Sequence, residues 1–313
     1  MILVAGSANL DFVVRAAHIP AAGETVLGHT LRTYPGGKGA NQAVACARAG
    51  GASTHMLLAL GQDAYALPLE ASLREAGVQL HIVRVPELAT GTAFVCVADN
   101  ADNAITVAPG ANQALAAQHF PAIGAVSHLL MQLETPLQTV AAYARMARAQ
   151  ATRVVLNAAP AQVLDAQLLA LVDLLIVNQS ELTSMAGGTP GSSIAEQLDR
   201  VAVPAVVVTL GPRGCCARIG SEYLVQSAFP VSAVDTTGAG DTFCGVLVAA
   251  LDQGNDMAHA LRRASAAAAL ACTRAGAQTG VPEHQEVNQM LQDAGAESPQ
   301  SQAVLRRYCG LPQ

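Results

Sequence analysis

Asp235-Thr236-Thr237-Gly238-Ala239-Gly240-Asp241-Thr242 follows a strand-like run, Ser227 to Val234, and opens an apolar helix, Phe243 to Leu251. A glycine-rich turn feeding a helix aims several backbone N–H groups one way, with the helix dipole behind them. That arrangement makes an anion site suited to phosphate. Asp241 sits within the turn, where a carboxylate acts either as a base on a bound hydroxyl or only as an acidic first-turn residue. A second stretch, Pro35-Gly36-Gly37-Lys38-Gly39-Ala40-Asn41-Gln42, also enters a helix. Its glycines let backbone approach a ligand and leave one mobile cation beside it, with Asn41 on the first turn in reach of the same ligand. The bland reading of this stretch is a flexible loop with an exposed lysine.

Asn9 and Asp11, just past the first strand, stand two apart on an extended chain and so share a face. They suit a polyhydroxylated ligand, although an Asx turn would look the same. Glu134 ends the apolar strand Leu129 to Leu133, at the carboxyl edge where α/β sheets bind ligands. Asn178 and Glu181 end another strand, and their spacing of three places both on one side of a nascent helix. That pair could hold a hydrated Mg²⁺, or merely form the turn. Other chemistries fit less well. Phe243 stands where a dinucleotide fingerprint needs its third glycine, and no Gly-Lys-Ser/Thr completes a Walker loop. No G-x-S-x-G elbow or H-x-x-x-H pair appears, and neither His18 nor His128 has a nameable partner.

The elements that must position these residues alternate short β-branched runs with Ala- and Leu-rich stretches, the pattern of an α/β protein with a largely parallel sheet. Ile2 to Ala5, His55 to Leu60, His128 to Leu133, Arg153 to Leu156, Leu174 to Val177 and Ala205 to Leu210 read as buried strands. Gly39 to Ala49, Leu67 to Ala76, Leu137 to Gln150 and Ile194 to Val201 read as crossover helices, and Ala239 to about Arg274 as two helices broken near Gly254-Asn255-Asp256. Two segments break the alternation. Residues 12–34 and 91–108 read as a small antiparallel sheet, with a turn at Asp99 to Asn103, beside a body of residues 1–11, 35–90 and 109–313. Such a half-exposed sheet makes a natural lid. The Gln- and Ser-rich tail after Gly295 reads as peripheral.

The chain has 313 residues, enough for a well-buried core without staples, and a formal net charge of -6 that argues against nucleic-acid or membrane-surface binding. Its apolar runs are too short to span a bilayer, and Met1 to Gly6 lacks a basic n-region, so a cytoplasmic protein is expected. The 7 cysteines fit no disulfide framework, and Cys46, Cys96, Cys244 and Cys272 read as buried thiols.

Together these motifs resemble the ribokinase family of carbohydrate kinases, of the phosphofructokinase-B type. Gly36 to Ala43 resembles that family's first signature and Asp235 to Thr242 its second, and the similarity runs from Gly6-Ser7 to Gly276-Ala277-Gln278. Met131 to Glu134, Leu156 to Ala161 and Thr209-Leu210-Gly211 carry it between them. The resemblance implies a three-layer α/β/α sandwich with a mostly parallel sheet, and a β lid that often forms a homodimer contact. It implies transfer of the γ-phosphoryl group of ATP to a sugar hydroxyl, taken here as the 5-hydroxyl of ribose. Another furanose or a nucleoside is the alternative within the family; a non-catalytic sugar-binding relative or a nucleotide-dependent oxidoreductase is the alternative outside it.

Carried over by motif, Asp241 is the implied base, and the N–H groups of Gly238, Ala239 and Gly240 stabilise the transferring phosphoryl group. Asn9, Asp11, Gly37, Lys38, Asn41 and Glu134 hold the sugar, while Asn178, Glu181, Thr209 and Gly211 serve the nucleotide and its hydrated Mg²⁺. The family's monovalent-cation site, usually for K⁺, maps to Asp235, Thr237, Ala271, Arg274, Gly276 and Gly280. Gly280 stands where relatives often place a serine, with Thr279 as a substitute, and Ser265 replaces a bulkier polar residue near the adenine.

Overall fold

In chain order the strands are β1 (Ile2–Ala5), β2 (Asn9–Ala16), β3 (Thr30–Gly36), β4 (Thr54–Leu60), β5 (Gln79–Arg84), β6 (Gly91–Ala98), β7 (Asn103–Ala108), β8 (His128–Met131), β9 (Arg153–Asn157), β10 (Leu174–Asn178), β11 (Ala205–Thr209), β12 (Gly214–Ile219) and β13 (Glu222–Ser227). The helices are α1 (Lys38–Val44), α2 (Ala66–Glu75), α3 (Leu137–Ala149), α4 (Ala166–Leu169), α5 (Gln179–Met185), α6 (Ile194–Asp199), α7 (Ala239–Asp252), α8 (Met257–Ala271), α9 (His284–Asp293) and α10 (Pro299–Cys309). A π-helical turn, Ala45–Ala49, continues α1. The structure is a computed structural model that describes residues 1–100, 102–187 and 191–312; of the turn expected at Asp99 to Asn103, Ala101 lies outside the described residues.

Alternation within the apolar runs builds two cores, one on each face of the main sheet. In β1, Ile2 and Val4 enter one core while Leu3 and Ala5 enter the other, and in β4 Met56 and Leu58 part from Leu57 and Ala59 in the same way. Parallel strands buried on both faces read as near-continuous hydrophobic runs for this reason. Against the first face pack α1, α2, α7, α8 and α9, through side chains such as Val44, Leu69, Val246, Leu261 and Val287. Against the second pack α3, α5, α6 and α10, through Tyr143, Leu182, Leu198 and Leu305. The result is the expected α/β/α sandwich.

The main sheet has 9 strands in the order β13-β12-β11-β10-β9-β8-β1-β4-β5. Pairing is parallel from β5 to β11, and β12 and β13 add an antiparallel edge. The chain winds outward from β1 through β4 to β5, then resumes on the other side at β8. This reversal places a crevice at the carboxyl ends of β1 and β8, where ligands bind in open α/β sheets. A second sheet of 4 strands, in the order β3-β2-β6-β7, stands apart. Its β2–β3 and β6–β7 pairs are antiparallel, and a parallel β2–β6 pairing joins them, so two hairpin-like pairs share one sheet.

Several local expectations change. Ser227 to Val234 is not a strand: β13 ends at Ser227, and Pro230 lacks the N–H that a further ladder would need. The chain crosses instead to the end of α8, where the N–H groups of Val234 and Asp235 donate to the Cys272 carbonyl. The tail is not peripheral either, because α10 buries Leu305 and Cys309 in the second core and Leu311 follows them. Cys96 and Cys272 are half-buried rather than buried. His18 meets Glu24 at 2.7 Å, and His128 meets Ser127 at 3.0 Å and faces Asp252, so both histidines have partners. Among the described residues no helix is long and apolar enough to cross a membrane.

Candidate active site

The helices α1 and α7 bring the two glycine-rich stretches together. Gly245, one turn after Asp241, permits this, since a Cβ there would lie 2.5 Å from the Gln42 carbonyl oxygen and 2.6 Å from Ala45 Cβ. With the backbones this close, Asp241 is buried against α1 and draws both its hydrogen bonds from it. Asn41 donates from Nδ2 to Oδ2 at 2.9 Å, and Gln42 donates from Nε2 to Oδ1 at 2.9 Å. Each carboxylate oxygen retains capacity to accept a further proton.

Gly238 caps α7 in the left-handed conformation, with φ 76°, which a side chain would strain. The turn opens the helix N-terminus toward the cleft, but its three N–H groups are not equivalent. That of Ala239 donates to the Thr236 carbonyl at 3.2 Å, leaving those of Gly238 and Gly240 without a backbone acceptor among the described residues. Lys38, the only lysine in the chain, starts α1 and faces this turn. The Asp241 carboxylate, supported by Glu134 and Glu181, holds the Lys38 ammonium above its ordinary pKa in spite of partial burial.

On one side of Lys38 lie Asn9, Asp11, Gly37, Asn41 and Glu134. Glu134 accepts from the Ser7 hydroxyl at 2.6 Å and from the Lys38 backbone N–H at 3.1 Å, which ties the end of β8 to the entries of β2 and α1. Asn9 Oδ1 accepts from Asn112 Nδ2 at 2.8 Å, and Gly37 caps α1. Asp11 projects from β2 toward two other carboxylates. Burial first, then Glu134 and Asp241, push its pKa up to about 7.

On the other side lies a cleft of about 150 Å³, lined by residues that include Lys38, Asn178, Glu181, Thr209, Gly240 and Asp241. Asn178 and Glu181 form a reciprocal cap at the start of α5: Asn178 Oδ1 accepts the Glu181 N–H at 2.8 Å, and Glu181 Oε2 accepts the Asn178 N–H at 2.8 Å. The pair thus forms the turn, and each side chain keeps acceptor capacity while doing so. Burial raises the Glu181 pKa, against the lowering effects of that N–H and of Lys38. Thr209 ends β11 in the cleft, whereas Gly211 lies just beyond it and is exposed.

The residues fit two kinds of cation. Among the described residues no three His, Cys, Asp or Glu side chains group as metal ligands. Glu181 thus offers one carboxylate, which suits a Mg²⁺ held mostly by water and substrate phosphates. Behind the anion turn, Asp235 accepts the N–H groups of Thr237 and Gly276, each at 2.9 Å, and these bonds lower its pKa against the effect of burial. Three carbonyl oxygens converge where a Cβ of residue 280 would sit, at 2.6 Å from Gly276, 3.2 Å from Ala271 and 3.5 Å from Arg274. An oxygen-only cradle beside a carboxylate suits a monovalent cation such as K⁺. Gly280 leaves that point open, and the Thr279 hydroxyl is turned away, donating to the Ala275 carbonyl at 2.7 Å. Ser265 is buried on α8, with its hydroxyl 3.9 Å from the Cys215 sulfur.

Four buried amides around Asp241 are absent from the sequence-derived site: Gln42, Gln132, Asn157 and Gln278. Their signal was an amide within an otherwise apolar element, as in the Leu129 to Leu133 run around Gln132 and the Ala-rich helix after Gln42. A buried amide needs partners, so its presence at a core position marks a polar network. Cys244, one turn after Asp241, also lines the cleft; burial and the nearby Asp241 charge raise its thiol pKa well above the ordinary value.

The family described as pfkB family carbohydrate kinase matches residues 1–284. The chain is 37% identical over 301 residues to a ribokinase of Haemophilus influenzae, covering 93% of this chain and 98% of that protein. It is 38% identical over 296 residues to a ribokinase of Bacillus subtilis, covering 93% and 99%. The structure of Arabidopsis thaliana ribokinase complexed with ribose and ATP superposes with a TM-score of 0.83 at 31% identity, covering 92% of this chain and 97% of that one.

Proposed function

The chain belongs to the pfkB family of carbohydrate kinases, and we propose that it is a ribokinase, transferring the γ-phosphoryl group of ATP to the 5-hydroxyl of D-ribose. The observation that carries this reading is the meeting, at Asp241 and Lys38, of a cluster that can bind a polyol and a cleft that can bind polyphosphate. In the proposed reaction the Asp241 carboxylate takes the proton of the ribose 5-hydroxyl, the O5–Pγ bond forms and the bond from Pγ to the bridging oxygen breaks, releasing ADP. Phosphoryl transfer of this kind depends on positioning and charge stabilisation more than on covalent chemistry.

Asn9, Asp11, Asn41, Glu134 and the Gly37 backbone orient the sugar. Lys38 and the open N–H groups of Gly238 and Gly240 face the charge that develops on the phosphoryl oxygens, the Ala239 N–H joining them only if it leaves the Thr236 carbonyl. Asn178, Glu181, Thr209 and Gly211 serve the nucleotide, with Asn178 and Glu181 orienting the water shell of Mg²⁺. Mg²⁺ supplies charge neutralisation of the phosphates, and K⁺ in the Asp235, Thr237, Ala271, Arg274, Gly276 and Gly280 cradle supplies positive potential behind the anion turn.

The 4-stranded sheet is proposed as a lid, since β2 carries Asp11 on the face that also bears Val13, Val95 and Ile105. Ile105 on that face is 58% exposed, and this exposed apolar side chain supports a homodimer through the lid. A cytoplasmic location accords with the absence of a spanning helix among the described residues.

The test is ADP release with Mg²⁺-ATP over a panel of ribose, deoxyribose, fructose and nucleosides, with and without K⁺. A strong preference for ribose is expected. Preferred turnover on another member would replace ribose as substrate, and no turnover on any, with no ribose binding by calorimetry, would remove the kinase reading.

A further inference from the structure

Two lines of amides converge on Asp241. In one, Ser72 donates to Gln278 at 2.6 Å, Gln278 donates to Asn41 Oδ1 at 3.2 Å, and Asn41 donates to Asp241. In the other, Gln132 Nε2 donates to Gln42 Oε1 at 2.5 Å, and Gln42 Nε2 donates both to Asp241 Oδ1 and to Asn157 Oδ1, at 2.9 and 3.0 Å. The first line ends on a residue expected to touch the sugar. The second touches the base and, through Asn157, the wall of the cleft.

The second line is fixed at Gln42, whereas Gln132 Oε1 at its far end has no hydrogen-bond partner among the described residues. Asn157 donates from Nδ2 to the Ile176 carbonyl at 3.1 Å, so its oxygen must face Gln42. Reversing the Gln42 amide would place its oxygen against both that oxygen and the Asp241 carboxylate, and would turn its NH₂ group toward the Gln132 donor. Gln132 reaches Gln42 only because residue 6 is glycine: a Cβ at Gly6 would lie 2.0 Å from Gln132 Oε1. All three amides are buried, where hydrogen bonds in a chain polarise one another and an unpaired polar group is costly. An amide also cannot accept the proton that Asp241 takes up, so the network can orient the carboxylate without draining it.

From this geometry we infer that Gln42, locked by Gln132 and Asn157, is a positioning residue that sets the rotation of the Asp241 carboxylate for proton transfer. The inference rests on the reading of Asp241 as the base. Gln42 itself lies outside the polyol cluster and the cleft lining, which it meets through Asp241 and Asn157, so its loss acts on turnover rather than on ribose binding. Gln132 acts one step further back, through Gln42 alone.

The test is a kinetic cycle of Gln42→Met, Gln132→Met and the double variant, with ribose and Mg²⁺-ATP and with folding checked by circular dichroism. Gln42→Met is expected to lower kcat by roughly 10–100-fold, the usual scale for a residue that orients a functional group, while leaving the ribose KM within about 3-fold. Gln132→Met should lower kcat less, and the double variant no further than Gln42→Met. Losses that multiply in the double variant, a KM effect that matches the kcat effect, or unchanged kcat in folded Gln42→Met would each overturn the inference. Should Gln42→Met not fold, Gln132→Met carries the test alone, since kcat must fall with KM preserved. Asp241→Asn run in parallel separates the two claims: wild-type turnover there removes the base assignment, whereas loss of turnover there with unchanged kcat in Gln42→Met removes only the positioning role.

Discussion

Of the two proposed ends of the cleft, the nucleotide end has Asn178 and Glu181 satisfying one another across three residues at the start of a single helix. At the sugar end, Asp241 takes its hydrogen bonds from Asn41 and Gln42, 200 and 199 positions away. One end is built by local backbone chemistry and the other by tertiary packing. The electrostatics differ to match. The nucleotide end presents N–H groups and one carboxylate, while the sugar end crowds Asp11 against Glu134 and Asp241, two carboxylates that also act on the single ammonium of Lys38. Burial first, and then the like charges held this close, raise the pKa of Asp11. The sugar end therefore stores unfavourable charge in the empty protein, and a polyol that donates hydrogen bonds to these carboxylates relieves it.

That contrast can be broken most directly at the shared residue. Asp241→Asn should lower ADP release by about 10²–10⁴-fold, the range for loss of a general base, with little change in the thermal midpoint. A comparable loss of stability would mean that Asp241 serves the core instead. Lys38→Met should cost about 10²–10³ in kcat, as for removal of one preorganised donor, and should raise the Asp11 pKa further by leaving its neighbours uncompensated. The first part is read from turnover and the second from carboxyl titration followed by NMR.

Asp11→Asn sharpens the comparison through pH. A carboxyl whose folded pKa exceeds its unfolded value contributes stability that is fully present below the unfolded pKa and is lost as pH rises through the folded one. For Asp11 the window runs from about 4 to about 7, and roughly a few kcal/mol is at stake at most. Thermal midpoints taken from pH 5 to pH 8 should fall relative to Asp11→Asn as pH rises; parallel profiles would show that the sugar end is not charge-strained. The smallest effect is expected at the other end. Asn178→Ala removes a helix cap worth about 1 kcal/mol and should raise the nucleotide KM while leaving the ribose KM unchanged. A change in the ribose KM would show that the two ends are coupled.

Much of this was legible before any coordinates. Six of the 9 strands of the main sheet, β1, β4 and β8 to β11, announced themselves as short apolar runs because parallel strands are buried on both faces, whereas β5, β12 and β13 toward its edges did not; the glycine turns did so because a helix N-terminus that meets an anion needs close backbone. What escaped notice had only a faint local signature, an amide set in an apolar run. Gln42, Gln132 and Asn157 look like ordinary polar residues until the crossing of α1 over α7 aims Gln42 at Asp241 and the ends of β8 and β9 bring Gln132 and Asn157 to Gln42. The tail after Gly295 looked polar because α10 buries only a narrow stripe, Leu305 and Cys309, within a Gln- and Ser-rich surface. The run from Ser227 to Val234 had strand composition, yet Pro230 ended the ladder.

The sequence by itself determined the layers, the two glycine turns and the pair of signatures, and it singled out Asp241 and Lys38 as candidate site residues, because periodicity and backbone requirements are written within a few residues. Tertiary structure alone decided the orientation of the base, the elevated pKa of Asp11 and which N–H groups of the anion turn stand open. Those depend on charges and amides that meet only when distant segments pack, and no spacing along the chain encodes that distance.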